Sequence, residues 1–241
     1  YVLVFHVSYS PVPNLPTPAW FTPIVFFGFS GVTLFFVVSA FSLCLTMPRH
    51  ISTGAPVLSF AISRFFRIAP LFYVLIIYSV ARDSGWFARA PDVGEALVSA
   101  SFLFNLVPGR FNIVWGGWTI GVEMLFYLLL PVLLIVTTSF RRAAALFAVS
   151  IFVTAMWTEV FATAPSTLKD FGQFFILAHA LYFAAGILGY FVWRAIRLRV
   201  SLVRQSLVGQ LLLLASAAVT LWLMSVGSTL TGAYGGPAAT K

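Results

Sequence analysis

Apolar, nearly charge-free runs recur along the whole chain, most of them close to twenty residues long. They fall at 1–9, 22–46, 57–81, 117–138, 143–161, 172–193 and 205–226. About twenty apolar residues in a helix match the hydrocarbon thickness of a bilayer, and a helix satisfies its own backbone where no water is present. The first run is short and reads as the tail end of a helix. Composition points the same way: 61% of the 241 residues are hydrophobic and 8% are charged, against about 25% charged in soluble domains. A water-soluble globule is excluded. The expected fold is all-α, a polytopic transmembrane helical bundle forming one integral-membrane domain over residues 1–241.

The ends suggest a piece of something longer. The chain opens on apolar Tyr1-Val-Leu-Val-Phe-His6 with no initiator methionine, and closes in the loop-like Gly235-Gly-Pro-Ala-Ala-Thr-Lys241. The net charge of +8 implies no nucleic-acid partner, because the arginines gather at the ends of apolar runs, where they orient helices. Cys44 is the only cysteine, so disulfides are excluded. Three separated histidines give no metal-ligand spacing, so no metal is expected.

Charge also orders the spans. The segment 93–107 is apolar but only about fifteen residues long, a length typical of re-entrant or interfacial helices. If it does not cross, Arg49, Arg64, Arg67, Arg141, Arg142, Arg194, Arg197, Arg199 and Arg204 share one side. Arg82, Arg89, Arg110 and Lys169 then fall on the other, with Asp83, Asp92, Glu95 and Asp170. Crossing would reverse that bias. The positive-inside rule therefore makes 82–116 a long outer loop holding a short non-spanning helix, with the arginine-rich side cytoplasmic.

One acidic residue stands well inside a span: Glu123, in Gly117–Thr138. A carboxylate there costs roughly 2.5 kcal/mol or more on insertion scales, so it marks a functional site unless it serves assembly alone. His6 lies about four residues from the outer end of its helix and Glu123 about six from the outer end of its own, which places both roughly 6–9 Å deep. Arg64 and Arg67, three apart, share a helix face near the cytoplasmic end of 57–81. Pro70 follows them and is expected to kink that helix. Tyr127, one turn beyond Glu123, shares its face and is placed to hydrogen-bond it. Trp118 fits an interfacial aromatic belt, His179 helix packing and His50 a loop.

The strings themselves resemble a known family. Ser63-Arg64-Phe-Phe-Arg67-Ile-Ala-Pro70 resembles the R-x-x-R-I-x-P signature of acyltransferase family 3, bacterial membrane proteins that O-acylate surface glycans, nodulation factors and macrolides. Trp118-Thr-Ile-Gly-Val-Glu123-Met-Leu-Phe-Tyr127-Leu-Leu-Leu-Pro131 is similar to its W-S-L-S-V-E-x-x-F-Y-L-L-x-P string. Gly31-Val-Thr-Leu-Phe-Phe36-Val-Val-Ser39-Ala40-Phe41 is similar to its second helix, with Ala40 where glycine is usual. Val4-Phe5-His6 resembles the end of its first helix, and residues Phe171–Tyr190 a later glycine-containing segment. These motifs stand in family order over about residues 1–193. Family members have about ten spans, so about seven are expected here.

The resemblance implies an integral-membrane O-acyltransferase with no bound cofactor. Its donor would be acyl-CoA, acetyl-CoA in the first place, and its acceptor a hydroxyl of a glycan or lipid-linked saccharide. It implies His6 and Glu123 as catalytic residues, Arg64 and Arg67 as the donor's phosphate clamp, and Ser39, Trp118 and Tyr127 in support. The multi-pass chain would lie in the bacterial plasma membrane. From the residues alone three alternatives stand: Arg64 and Arg67 equally suit topology anchors, His6 by itself suits packing before catalysis, and His6 with Glu123 could form the proton relay of a transporter, although the arginines set against them suit a transferase better.

Overall fold

The computed structural model describes residues 2–9, 15–18, 21, 22, 25, 28, 30–81, 93–109, 112–114, 116–199 and 210. The expected span at 205–226, apart from residue 210, lies outside the described residues, as do the loop at 82–92 and Arg110. The helices are α1 (Val2–Tyr9), α2 (Ser30–Ile51), α3 (Pro56–Ala81), α4 (Val93–Ala100), α5 (Trp118–Val136), α6 (Phe140–Ala162), α7 (Ser166–Phe174) and α8 (Ala180–Arg199). Among the described residues there is no strand. Helices α2, α3, α5 and α6 and the stretch Ile176–Arg197 are long and apolar enough to cross a membrane. This is the all-α membrane bundle expected. Eight residues of α4 rise about 12 Å, too little to span.

The chain divides into two compact units, residues 1–35 with 193–241 and residues 36–192. In the first, the Leu15 amide donates to the Ser8 carbonyl at 3.0 Å, just after α1. The second holds most of the helices.

Helix ends follow local chemistry. Ser139 caps α6, its hydroxyl accepting from the Arg142 amide at 3.4 Å. The Arg142 guanidinium turns back toward the end of α5, donating to the Thr138 hydroxyl at 3.1 Å and the Val136 carbonyl at 3.5 Å. A cation at a helix C-terminus satisfies orphan carbonyls and suits the helix dipole. The bounds of α2 differ from the expected 22–46. The long helix starts at Ser30 and continues through Pro48 to Ile51, so His50 belongs to its last turn and not to a loop. Proline so near a helix end removes one bond where few remain to be lost. Helix α3 runs on without interruption through Pro70.

The expected span 172–193 is broken. Helix α7 stops at Phe174, Phe175 is extended (φ −79°, ψ 148°), a 3₁₀ turn covers Ile176–His179, and α8 begins at Ala180. The break falls just before the membrane-length stretch Ile176–Arg197, and other groups answer its backbone. Trp157 Nε1 donates to the Gly172 carbonyl at 2.7 Å. Thr154 Oγ1 donates to Leu177 O at 3.1 Å and accepts from the Leu181 amide at 3.2 Å. His179 Nε2 meets the Gln173 carbonyl at 3.0 Å. Thr154 and Trp157 sit three apart on α6 and so share one face, which services the break.

Between α4 and α5 the chain folds back against α3. Phe102, Phe104, Ile113 and Val114 bury against Ala69, Phe72 and Ile76. Phe102 takes a left-handed backbone (φ 61°) while its ring stacks on Phe72 at 5.1 Å; burial holds a conformation that bulky residues avoid. Asn105 Nδ2 donates to the Trp118 carbonyl at 2.7 Å, tying this segment to the start of α5. Gly121 lets it come close. A Cβ there would lie 2.7 Å from the Phe104 ring and 2.8 Å from Asn105 Nδ2. Gly121→Ala is therefore expected to destabilise by about 1–3 kcal/mol through overpacking. Thermal unfolding in detergent reads it, and an unchanged midpoint would mean that the segment yields without loss.

Candidate active site

Glu123 faces inward from the second turn of α5 and is 7% exposed. Two hydroxyls converge on its Oε1. Ser39 Oγ, from α2, donates at 2.7 Å, and Tyr127 OH, one turn along α5, donates at 2.5 Å. Both distances lie in the ordinary range of O–H···O hydrogen bonds. A buried carboxylate without partners would be far more expensive. Both hydroxyls use one oxygen, which leaves the lone pairs of Oε2 for another partner.

Below this group stands Phe60 of α3, 2% exposed, with its ring edge-on to Tyr127 at 6.0 Å. Arg64 lies over the same ring, Cζ 6.0 Å from the centroid. His50 approaches it edge-on at 5.6 Å, its Nδ1 3.0 Å from the Ser59 hydroxyl. The two arginines thus differ in a way their shared spacing does not reveal. Arg67 is exposed. Arg64 is half-buried; it reaches the Ser63 hydroxyl at 3.4 Å, while its Nε is buried with no hydrogen-bond partner among the described residues.

Above Glu123 is an aromatic layer. Trp118 packs on Phe174 at 4.9 Å, on His179 at 5.4 Å and edge-on to Phe36 at 6.3 Å. Phe36 meets Phe183 at 4.9 Å, and Phe183 stacks on Phe126 at 4.0 Å. Trp118 is therefore a packing centre joining α2, α5, α7 and the 3₁₀ turn. His179 is a residue that sequence reasoning set aside. A lone histidine in an apolar run looks alike whether it packs or binds, and only the break before α8 singles it out.

The structure thus brings Ser39, Glu123 and Tyr127 together, sets Trp118 one layer above, and puts Arg64 one ring below. His6 lies on α1 in the other unit, half-buried, with Phe5 edge-on at 5.2 Å. Among the described residues no group of three His, Cys, Asp or Glu side chains is arranged to hold a metal ion.

A bundle of membrane-length helices enclosing a hydrogen-bonded carboxylate defines a multi-pass membrane protein with an ionisable site within its core. The family follows from comparison. The family model Acyl_transf_3, described as an acyltransferase domain, matches residues 1–239, and the chain belongs to that family. It is a membrane acyltransferase, which decides against the transporter alternative. No curated protein and no solved structure matches it.

Proposed function

We propose that this acyltransferase moves an acyl group, acetyl in the first place, from acyl-CoA to a hydroxyl of a glycan or lipid-linked saccharide. The proposed setting is the cell membrane, with the arginines on the cytoplasmic side. The observation that carries the donor assignment is the buried Nε of Arg64, without a partner among the described residues, beside exposed Arg67. A buried N–H without an acceptor costs about 1–3 kcal/mol, and an anionic group of the donor would satisfy it. Guanidinium pairs bind phosphate oxygens bidentately. From Arg67 to Ala81 the helical rise is about 21 Å, comparable with an extended pantetheine arm.

In the proposed step the acceptor oxygen attacks the thioester carbonyl. A C–O bond forms and the C–S bond breaks. The hydroxyl proton passes to His6, the base, and is returned to the departing CoA sulfur. Glu123, held by Ser39 and Tyr127, stabilises the protonated imidazole. The pairing of His6 with Glu123 rests on the sequence motifs and the equal depth inferred from them.

Replacing Arg64 or Arg67 by Lys in the full-length protein is expected to raise KM for acetyl-CoA while leaving the acceptor's KM unchanged. Lysine keeps the charge but loses the fork that grips two oxygens. Arg64→Lys should be the worse, because it also loses the Nε–H. Steady-state transfer in membranes reads both. Wild-type kinetics in both variants would reduce the pair to topology anchors.

A further inference from the structure

His179 is 8% exposed, and its two nitrogens are in different situations. Nε2 lies 3.0 Å from the Gln173 carbonyl. A carbonyl oxygen can only accept, so Nε2 carries the proton and donates, satisfying one of the last carbonyls of α7. That bond fixes the tautomer. Nδ1 is then a lone pair, buried, and among the described residues no group bonds to it. Buried side-chain acceptors are nearly always paired, so an orphan of this kind asks for a hydrogen donor beyond the described residues.

The surroundings narrow the donor. The imidazole is enclosed by the rings of Phe36 at 5.1 Å, Trp118 at 5.4 Å and Tyr182 at 6.4 Å. Phe36 is fully buried, whereas Trp118 and Tyr182 are half-buried. His179 also stands at the Trp118 end of α5, above Glu123. Arg64 and Phe60 lie below, beyond Tyr127. A ligand whose anionic end is held at the arginines leaves the opposite end of the bundle to the molecule that receives the acyl group.

We propose that His179 Nδ1 accepts a hydrogen bond from a hydroxyl of the acyl acceptor, a hydroxyl other than the one acylated, and so selects a polyhydroxylated substrate. The inference rests on the proposed function, which makes the acceptor a hydroxyl compound. His179 is in this reading a specificity-determining contact; its Nε2 caps α7 and its Nδ1 holds substrate.

Two substitutions in the full-length protein separate those tasks, with acetyl-CoA and octyl β-D-glucoside as the probes. His179→Gln keeps an N–H near Nε2 and removes the Nδ1 acceptor. It is expected to raise KM for the glucoside about tenfold, the loss of one paired hydroxyl, with KM for acetyl-CoA unchanged. KM does not depend on how much of the protein folds, so a lower yield leaves the result readable. His179→Asn, whose amide sits near the Nδ1 position, should recover part of the glucoside KM while lowering the unfolding midpoint through the lost cap. An unchanged glucoside KM in His179→Gln overturns the proposal. So does a rise in the acetyl-CoA KM instead, which would set Nδ1 against the amides of the donor. If wild-type protein releases no CoA from acetyl-CoA with this glucoside, the proposed function fails for it, and the inference fails with it.

Discussion

His6→Ala is expected to slow acetyl transfer by about 10²–10⁴-fold, the usual loss on removing a general base. Glu123→Gln should be comparably damaging, since it removes the carboxylate on which Ser39 and Tyr127 converge and with it the charge that favours an imidazolium. The combined variant is the informative one. Groups that act as a unit are strongly non-additive, so the pair should transfer little more slowly than the worse single variant. The measurement is acetyl transfer in membranes, with folded protein quantified for each variant. Losses that multiply would mean that the two residues work independently, and that Glu123 serves assembly of the bundle. Near-normal turnover in His6→Ala would end the mechanism proposed above.

The second large effect concerns packing. Gly186 lies where α8 meets α2: a Cβ there would collide with the Val37 carbonyl oxygen and lie 2.7 Å from the Ala40 Cβ. The obstacle is backbone, which cannot rotate away. Overpacking of this kind costs typically 1–3 kcal/mol and occasionally more. Gly186→Val should leave little folded protein, and Gly186→Ala a lower unfolding midpoint. Removing the Ala40 methyl in addition should recover only part of the loss, since Val37 remains in the way. Full recovery by Ala40→Gly would mean that the methyl contact alone limits the approach. The contact also shows how Ala40 stands where the family has glycine: the facing position on α8 is itself glycine.

What the sequence revealed, and what it hid, follows from the range of the interactions. The Glu123–Tyr127 bond lies at i, i+4, a spacing that helical geometry makes neighbours. The bond from Ser39 to Glu123 crosses 84 residues of chain, and periodicity carries no information over such a distance; the family resemblance named Ser39 as a supporting residue without pairing it to Glu123. Arg64 and Arg67 share a face by spacing, yet one is half-buried and the other exposed, because burial depends on what packs beside the helix. The break at Phe175 was hidden for a related reason. Residues 172–193 are apolar on both sides of it, and hydropathy does not distinguish a continuous helix from one whose carbonyls are answered by a neighbour. The available signal was on another helix: Thr154 and Trp157, polar groups three apart on α6.

That break has a mechanical consequence. In a continuous helix the backbone ladder is repeated at every residue, and opening one turn disturbs its neighbours. Around Phe175 the backbone bonds Phe175–Phe171 and Ala178–Phe175 persist, and the carbonyls of Gly172, Gln173 and Leu177 receive side-chain bonds from Trp157, His179 and Thr154, each held by side-chain torsions and each worth about 0.5–1.5 kcal/mol net. They can be released singly. Residues Gln173–Leu181 should therefore exchange amide hydrogens by small local openings well before the neighbouring turns of α8 do. Trp118 packs against both sides of the joint, on Phe174 and on His179, so each such opening loosens the aromatic layer above Glu123 while α5 itself stays intact.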